Sequence, residues 1–125
     1  MAIFKVLVID DETNYPTAFK LLLESKGGYA VSLASNGLKG LEMARTEKPD
    51  MIFLDVMMPG LDGIAVLKSL KSDTELKDIP VVMLSAVETE KAKEETRDLN
   101  VEAYLNKPLE MQVLLDKIDE IKNRR

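Results

Sequence analysis

Residues 51–55 read MIFLD, four apolar residues followed by an aspartate. Two other stretches are similar, with mostly apolar residues followed by polar ones: residues 3–11 read IFKVLVIDD, and residues 81–85 read VVMLS. Short, nearly continuous apolar runs of this kind are typical of parallel strands that are buried on both faces. We therefore predict three central parallel strands, each of which ends at a polar side chain.

Two further stretches predict the edges of the same sheet. Residues 29–33 (YAVSL) alternate large apolar with small residues, and residues 102–105 (EAYL) are short and mixed. Helical patterns fill the intervals between the strands, and the fourth of them, residues 88–99, is strongly charged. The apolar positions of the other four helices are Ala18, Phe19, Leu22, Leu23, Leu38, Leu41, Ala44, Ile64, Leu67, Leu70, Met111, Leu114, Leu115, Ile118 and Ile121.

Turn-forming residues mark the ends of these helices. We expect Gly27 and Gly28 to end the first helix in a left-handed conformation, and Pro49 to end the second. Asp62 is expected to cap the start of the third helix, and Asn100 to take a left-handed conformation after the fourth.

The regular alternation of strands and helices predicts an α/β fold. We expect a single doubly wound (βα)5 domain over residues 1–125, with a five-stranded parallel sheet and no linker. The apolar strands belong in the centre, and crossovers between parallel strands are right-handed, which favours the order 2-1-3-4-5 of flavodoxin-like proteins. Ligands of such sheets bind outside the carboxyl ends of the strands.

The composition excludes several classes of function. The chain has no histidine and no cysteine, which rules out disulfides, thiolate metal sites and Ser-His-Asp or Cys-His triads. Its formal net charge of −5 argues against a nucleic-acid partner, because phosphate binding requires a basic face. We find neither a signal peptide nor an apolar run of membrane-spanning length, so we expect a cytoplasmic protein without a membrane partner.

Polar side chains follow four of the five predicted strands. They are Asp10 and Asp11 after the first strand, Asp55 after the third, Ser85 after the fourth and Lys107 after the fifth. Three carboxylates at one sheet edge cannot all remain ionised beside a single lysine, and a divalent cation would compensate the excess charge. Oxygen ligands suit Mg²⁺, with Mn²⁺ as a substitute. Such a pocket is suited to a phosphoryl group, with a carboxylate as nucleophile.

Four sequence blocks resemble the receiver domain of two-component response regulators, the CheY-like fold. They are VLVIDDE at 6–12, DVMMPGLDG at 55–63, SA at 85–86 and YLNKPL at 104–109. The blocks occur in the order and at the spacing of that family, and the resemblance extends over essentially the whole chain. The block at 55–63 is the most specific.

The resemblance implies roles for the residues of the acidic pocket. Asp55 would accept a phosphoryl group from a phosphohistidine of a histidine kinase or a histidine phosphotransfer protein. Asp11, Asp55 and the Met57 carbonyl would bind Mg²⁺ directly, and Asp10 would act mainly through a metal-bound water. Lys107 would contact the phosphoryl oxygens.

The resemblance also implies a switch and its structural supports. Ser85 would move to hydrogen-bond the phosphoryl group, and Tyr104 would change rotamer as that loop shifts. The peptide bond before Pro108 would be cis, although X-Pro bonds in general favour trans. Gly60 and Gly63 would form the bend that follows the acceptor.

As a receiver, the chain would be a signalling switch rather than a classical enzyme. It would catalyse its own phosphorylation and slow autodephosphorylation at Asp55. The fourth helix, fifth strand and fifth helix would bind a downstream protein, and no effector domain fits within residues 1–125. The wide apolar face of the last helix is expected either to join the core or to form a homodimer contact.

Two apolar residues suggest how long the phosphoryl group persists. In the resembled family, Met57 and Val87 would flank the path of the water that hydrolyses the aspartyl phosphate. Neither side chain can hydrogen-bond and orient that water. We therefore expect slow intrinsic dephosphorylation.

Three alternatives remain open at the level of sequence. Residues 9–13 (IDDET) loosely match the D-x-D-x-T block of haloacid-dehalogenase-like phosphatases, which would make Asp10 the nucleophile, although Glu12 replaces the second aspartate. A flavin-binding relative would need a phosphate loop where this chain is acidic. The third alternative is a scaffold with the receiver fold that works independently of phosphorylation.

Overall fold

The computed structural model describes residues 2–86 and 89–124, without the side chain at position 89. Five parallel strands form one sheet in the order β2-β1-β3-β4-β5, which confirms the predicted topology. The strands are β1 Phe4–Ile9, β2 Tyr29–Ala34, β3 Met51–Asp55, β4 Val81–Ser85 and β5 Ala103–Asn106. The helices are α1 Asn14–Ser25, α2 Gly37–Glu47, α3 Gly63–Ser72, α4 Thr89–Thr96 and α5 Met111–Lys122.

The sheet is covered on both faces because side chains alternate along each strand. In β1, Val6 and Val8 face one hydrophobic cluster, which contains residues of α1 and α5. Leu7 and Ile9 face the opposite cluster, which contains residues of α2, α3 and α4. Every residue of β3 and β4 is buried, whereas β2 and β5 are only partly buried, as expected of edge strands.

Most helix ends follow the turn residues of the sequence. Gly27 and Gly28 follow α1 with φ of 77° and 84°, and Asn100 has a φ of 55°. Asp62 caps α3 by accepting a hydrogen bond from the Ala65 N–H at 2.9 Å. The second helix ends earlier than Pro49, because Lys48 already has a φ of 47°.

The charged fourth helix is shorter than expected. It forms α4 up to Thr96 and then tightens into a 3-10 turn at Arg97–Leu99, and Glu88 lies outside the described residues. Within the described residues, no helix is both long and apolar enough to cross a membrane.

Three apolar helix positions face solvent rather than the core, so the prediction that they belong to the apolar faces was wrong. Ala18, Leu22 and Leu38 are exposed, Leu38 to 71%. In α2 the position that faces β1 is a glycine, Gly40. A Cβ at Gly40 would lie 2.6 Å from Ile9 Cδ1. The helix therefore packs so closely on β1 that a larger side chain does not fit at this position.

The outer edge of β2 is bound by side chains of α1. The Val31 N–H donates to Glu24 Oε2 at 2.8 Å, and Lys20 Nζ donates to the Val31 carbonyl at 2.6 Å. Lys20 and Glu24 also pair with each other at 2.7 Å. One ion pair thus occupies both backbone groups of a central residue of the edge strand.

Candidate functional site

The carboxyl ends of the strands bring the predicted site residues together. Asp10 directly follows β1, Asp55 and Ser85 are the last residues of β3 and β4, and Lys107 directly follows β5. Because β1, β3 and β4 are neighbouring parallel strands, their polar ends meet at one edge of the sheet.

Three carboxylates form the acidic part of the site. Asp10, Asp11 and Asp55 each offer an oxygen, and these atoms all lie within 4.8 Å of one another. Asp10 and Asp55 are each only 3% exposed, whereas Asp11 is open to solvent. This arrangement is a preformed, oxygen-only donor set with one accessible side.

Lys107 is the cation of the site. Its Nζ lies 2.9 Å from Asp10 Oδ2, 3.0 Å from Glu12 Oε1 and 3.5 Å from Asp55 Oδ2. The peptide bond between Lys107 and Pro108 is cis, as the family resemblance implied and against the general preference of X-Pro bonds. The Lys107 N–H also donates to the Ser85 carbonyl at 2.8 Å, which ties the loop after β5 to the end of β4.

Sequence reasoning missed Tyr15 and the ion pair of Glu12. The Tyr15 hydroxyl donates to Asp10 Oδ2, and the Glu12 N–H donates to Asp10 Oδ1 at 3.0 Å. Both oxygens of Asp10 are therefore engaged. Glu12 belongs to the DDE block and could have been proposed as a partner of Lys107, whereas no spacing rule pointed to Tyr15.

The electrostatics of the surrounding protein groups disfavour the ionised form of Asp55. Burial and then the charge of Asp10 raise the pKa of Asp55 to about 7, although Lys107 and the Met57 N–H act in the opposite direction. Burial alone would lower the pKa of Lys107, but its hydrogen bonds to Asp10 and Glu12 raise it overall. Burial and the bond to Asp10 raise the pKa of Tyr15, so its hydroxyl remains a donor.

The bend after Asp55 contains the other predicted residues of this block. The Met57 N–H donates to Asp55 Oδ1 at 3.2 Å, and the Met57 side chain is 63% exposed. Gly60 has a φ of 80°, and Gly63 begins α3 with its N–H donating to the Val56 carbonyl at 3.0 Å. Val87, the second predicted neighbour of the hydrolytic water, lies outside the described residues.

The two predicted switch residues lie on adjacent strands. Ser85 is fully buried, and Tyr104 is partly buried in β5. The Thr96 hydroxyl donates to the Ala92 carbonyl at 2.6 Å and accepts a hydrogen bond from the Tyr104 hydroxyl. Lys93 Nζ lies 5.7 Å from the centroid of the Tyr104 ring. Tyr104 is thus attached to α4 by Thr96, a contact that the sequence did not indicate.

A cleft opens beside the carboxylates. It measures about 400 Å³ and is lined by Glu12, Tyr15, Ala86, Lys107, Pro108 and Leu109. Lys107 therefore lies between the buried aspartates and a solvent-accessible opening. Chemically, the arrangement can hold a divalent cation, present a carboxylate oxygen to an electrophile and neutralise an anionic group.

Comparison with known proteins agrees with this geometry. A family model described as "Response regulator receiver domain" matches residues 6–119. The alkaline phosphatase synthesis transcriptional regulatory protein PhoP of Bacillus subtilis is 43% identical, over 83% of this chain and 42% of PhoP. The polar-differentiation response regulator DivK of Brucella anthropi is 34% identical, over 90% of this chain and 91% of DivK.

A solved structure supports the same assignment. The chemotaxis protein CheY4 of Vibrio cholerae superposes with a TM-score of 0.87 and 28% identity, covering 96% of this chain and 99% of CheY4. The chain thus spans less than half of PhoP but nearly all of DivK and CheY4. Fold, acidic pocket and sequence agree, and the chain belongs to the receiver domain family of two-component response regulators.

Proposed function

We propose that this receiver is a phosphorylation-dependent switch of a two-component phosphorelay and that Asp55 accepts the phosphoryl group. The placement of Asp55 carries the proposal. One oxygen accepts the Met57 N–H at 3.2 Å, and the other lies 3.5 Å from Lys107 Nζ. A carboxylate beside a fixed cation can attack a phosphoryl group while the negative charge of that group is neutralised.

The donor would be a phosphohistidine of a histidine kinase or a histidine phosphotransfer protein. An Asp55 oxygen attacks phosphorus and forms an O–P bond, the P–N bond breaks, and the departing imidazole takes the electron pair and a proton from solvent. Lys107 turns from Asp10 and Glu12 to the phosphoryl oxygens, and the Ser85 hydroxyl donates to one of them. The chain itself thus supplies the nucleophile and the lysine that neutralises the phosphoryl oxygens.

The donor set fits Mg²⁺. Three carboxylates with ligand atoms within 4.8 Å exceed the charge that Lys107 can balance, and oxygen-only ligands favour a hard cation. Asp11, Asp55 and the Met57 carbonyl would hold the ion, and Asp10 would bind through water. The bound ion, or Mn²⁺ in its place, would neutralise oxygens of the transferred group.

The surface formed by α4, β5 and α5 would respond to phosphorylation and bind the downstream partner. Ser85 moves toward the phosphoryl group, and Tyr104 on the neighbouring strand β5 carries the change to α4, because its hydroxyl is bonded to Thr96. A downstream protein or a second copy of the chain would bind this surface. We assign residues 1–125 to the receiver alone and expect no nucleic-acid contact from them, although relatives such as PhoP are transcriptional regulators.

Phosphorylation by acetyl phosphate tests the assignment of Asp55. With Mg²⁺, the wild type should gain one phosphoryl group in intact-mass spectrometry, and Asp55→Asn should gain none, because the amide cannot form an acyl phosphate. Borohydride reduction of the labelled protein, followed by peptide mapping, identifies the modified aspartate. Label that persists in Asp55→Asn, or a label mapped to Asp10, would favour the phosphatase alternative.

The lifetime of the phosphoryl group tests the role of Met57. Met57→Asn should speed loss of phosphate from Asp55 about tenfold, since an amide can hydrogen-bond and orient the attacking water. Met57→Leu is the matched control, because it changes the side chain but stays apolar. The half-life of the phosphorylated protein is measured by mass spectrometry after removal of acetyl phosphate. Equal half-lives for the asparagine and leucine variants would contradict this role of Met57.

A further inference from the structure

One aromatic side chain touches both the carboxylate and the cation of the site. Tyr15 lies in the first turn of α1, and its hydroxyl donates to Asp10 Oδ2. Its ring centroid lies 5.6 Å from Lys107 Nζ, within the range of a cation–π contact. The same side chain lines the cleft beside Lys107.

These contacts restrict the orientation of Asp10. A carboxylate with one fixed donor can still turn about its terminal torsion, but a second donor on the other oxygen holds its plane. Here the Glu12 N–H fixes Oδ1 at 3.0 Å, and the Tyr15 hydroxyl and Lys107 Nζ approach Oδ2. With these bonds in place, the oxygens of Asp10, Asp11 and Asp55 lie within 4.8 Å. The Tyr15 bond is therefore compatible with the assembled donor set.

We propose that Tyr15 is a positioning residue of the metal site: its hydroxyl holds Asp10 in the orientation that assembles the three carboxylates, and its ring holds Lys107 beside them. The proposal rests on the function proposed above. Outer partners of metal-binding carboxylates commonly contribute ten- to hundredfold to metal affinity. The two contacts of Tyr15 can be removed in two steps, since Tyr15→Phe deletes the hydroxyl alone and Tyr15→Leu deletes the hydroxyl and the ring.

A matched control exists elsewhere in the chain. Tyr29 at the start of β2 also has a lysine over its ring, with Lys122 Nζ 4.5 Å from the centroid. Lys122 Nζ also donates to the Tyr29 hydroxyl at 3.3 Å. Tyr29 lies at the amino end of β2, whereas the carboxylates lie at the carboxyl ends of the strands. Tyr29→Phe therefore removes a comparable hydroxyl far from the site.

Calorimetric titration of the metal-free proteins with Mg²⁺ tests the hydroxyl. We expect Tyr15→Phe to weaken Mg²⁺ affinity about tenfold and Tyr29→Phe to leave it within twofold of the wild type. An affinity of Tyr15→Phe within twofold of the wild type would overturn the proposal. If the wild type binds Mg²⁺ but is not phosphorylated by acetyl phosphate, the proposed function fails and the titration still decides the role of Tyr15. If the wild type binds no Mg²⁺, both fail.

The phosphorylation rate at different Mg²⁺ concentrations tests the ring. At saturating Mg²⁺, Tyr15→Phe should regain the wild-type rate with acetyl phosphate, because its hydroxyl acts through metal binding. Tyr15→Leu should stay about tenfold slower, because Lys107 is no longer held. A purely structural role would instead slow both variants at every Mg²⁺ concentration and lower the melting temperature in EDTA, and that result would refute the positioning role.

Discussion

Gly63→Ala should destabilise the protein by about 3 kcal/mol or more and disrupt the site at the same time. A Cβ at position 63 would lie 2.0 Å from the Asp55 carbonyl oxygen and 2.8 Å from Val56 Cα. These neighbours are backbone atoms of the strand end and the bend, so no side chain can turn aside to make room. Relief of the clash must move α3 or the segment that carries Asp55.

Chemical denaturation of Gly63→Ala measures the loss of stability, and Mg²⁺ titration measures the disruption of the site. Gly60→Ala is the matched control, because its φ is 80° but a Cβ there would meet nothing within 4 Å. Backbone strain alone should cost about 1 kcal/mol in that variant. If Gly63→Ala were no less stable than Gly60→Ala and bound Mg²⁺ like the wild type, the close approach of Gly63 to Asp55 would have no energetic role.

Asp55→Asn should stabilise the metal-free protein at pH 8 by about 2–4 kcal/mol. In the folded protein, burial and Asp10 raise the pKa of Asp55 to about 7 from its ordinary value of 3.8. Between pH 4 and 7 the folded state therefore holds a proton that the unfolded state has released. The contribution of Asp55 to the free energy of unfolding therefore falls as pH rises through this window and is constant above it.

Thermal melts in EDTA from pH 4.5 to 8 measure this difference. The asparagine side chain does not titrate, so the gap between the melting temperatures of wild type and variant should be smallest at pH 4.5 and widen to about 8–15 °C at pH 8. Added Mg²⁺ should narrow the gap by binding the wild-type carboxylates. Asp116→Asn is the control, because Asp116 is an exposed carboxylate of α5 that accepts a hydrogen bond from Gln112. Its melting temperature should match that of the wild type at every pH. A constant separation across the pH range would show that Asp55 does not titrate near pH 7.

The architecture was predictable because the burial of each strand follows from the apolar content of its sequence. The apolar runs of β3 and β4 proved fully buried, and the mixed runs of β2 and β5 proved to be edges. The apolar periodicity was misleading where glycine replaces a side chain. Leu38 matched the helical pattern but faces solvent, because Gly40 makes the close contact with β1.

Placement of the site was predictable to the level of strands. Parallel topology requires that Asp10, Asp55 and Ser85 meet at one edge, and they do. Contacts that depend on side-chain direction were not predictable. The Tyr15 hydroxyl reaches Asp10 from α1, and the Tyr104 hydroxyl bonds to Thr96 of α4. Such contacts depend on how each helix sits on the sheet, which periodicity does not specify.

The ion pair on the outer strand bears on how copies of this chain can meet. An edge strand exposes backbone groups that can recruit a strand from another molecule, the route to sheet extension and aggregation. In β2 the backbone of Val31 is not available to such a strand, since Glu24 already binds its N–H and Lys20 its carbonyl. An incoming strand would have to displace a charged pair to gain two hydrogen bonds. Strand addition to β2 is therefore disfavoured at Val31.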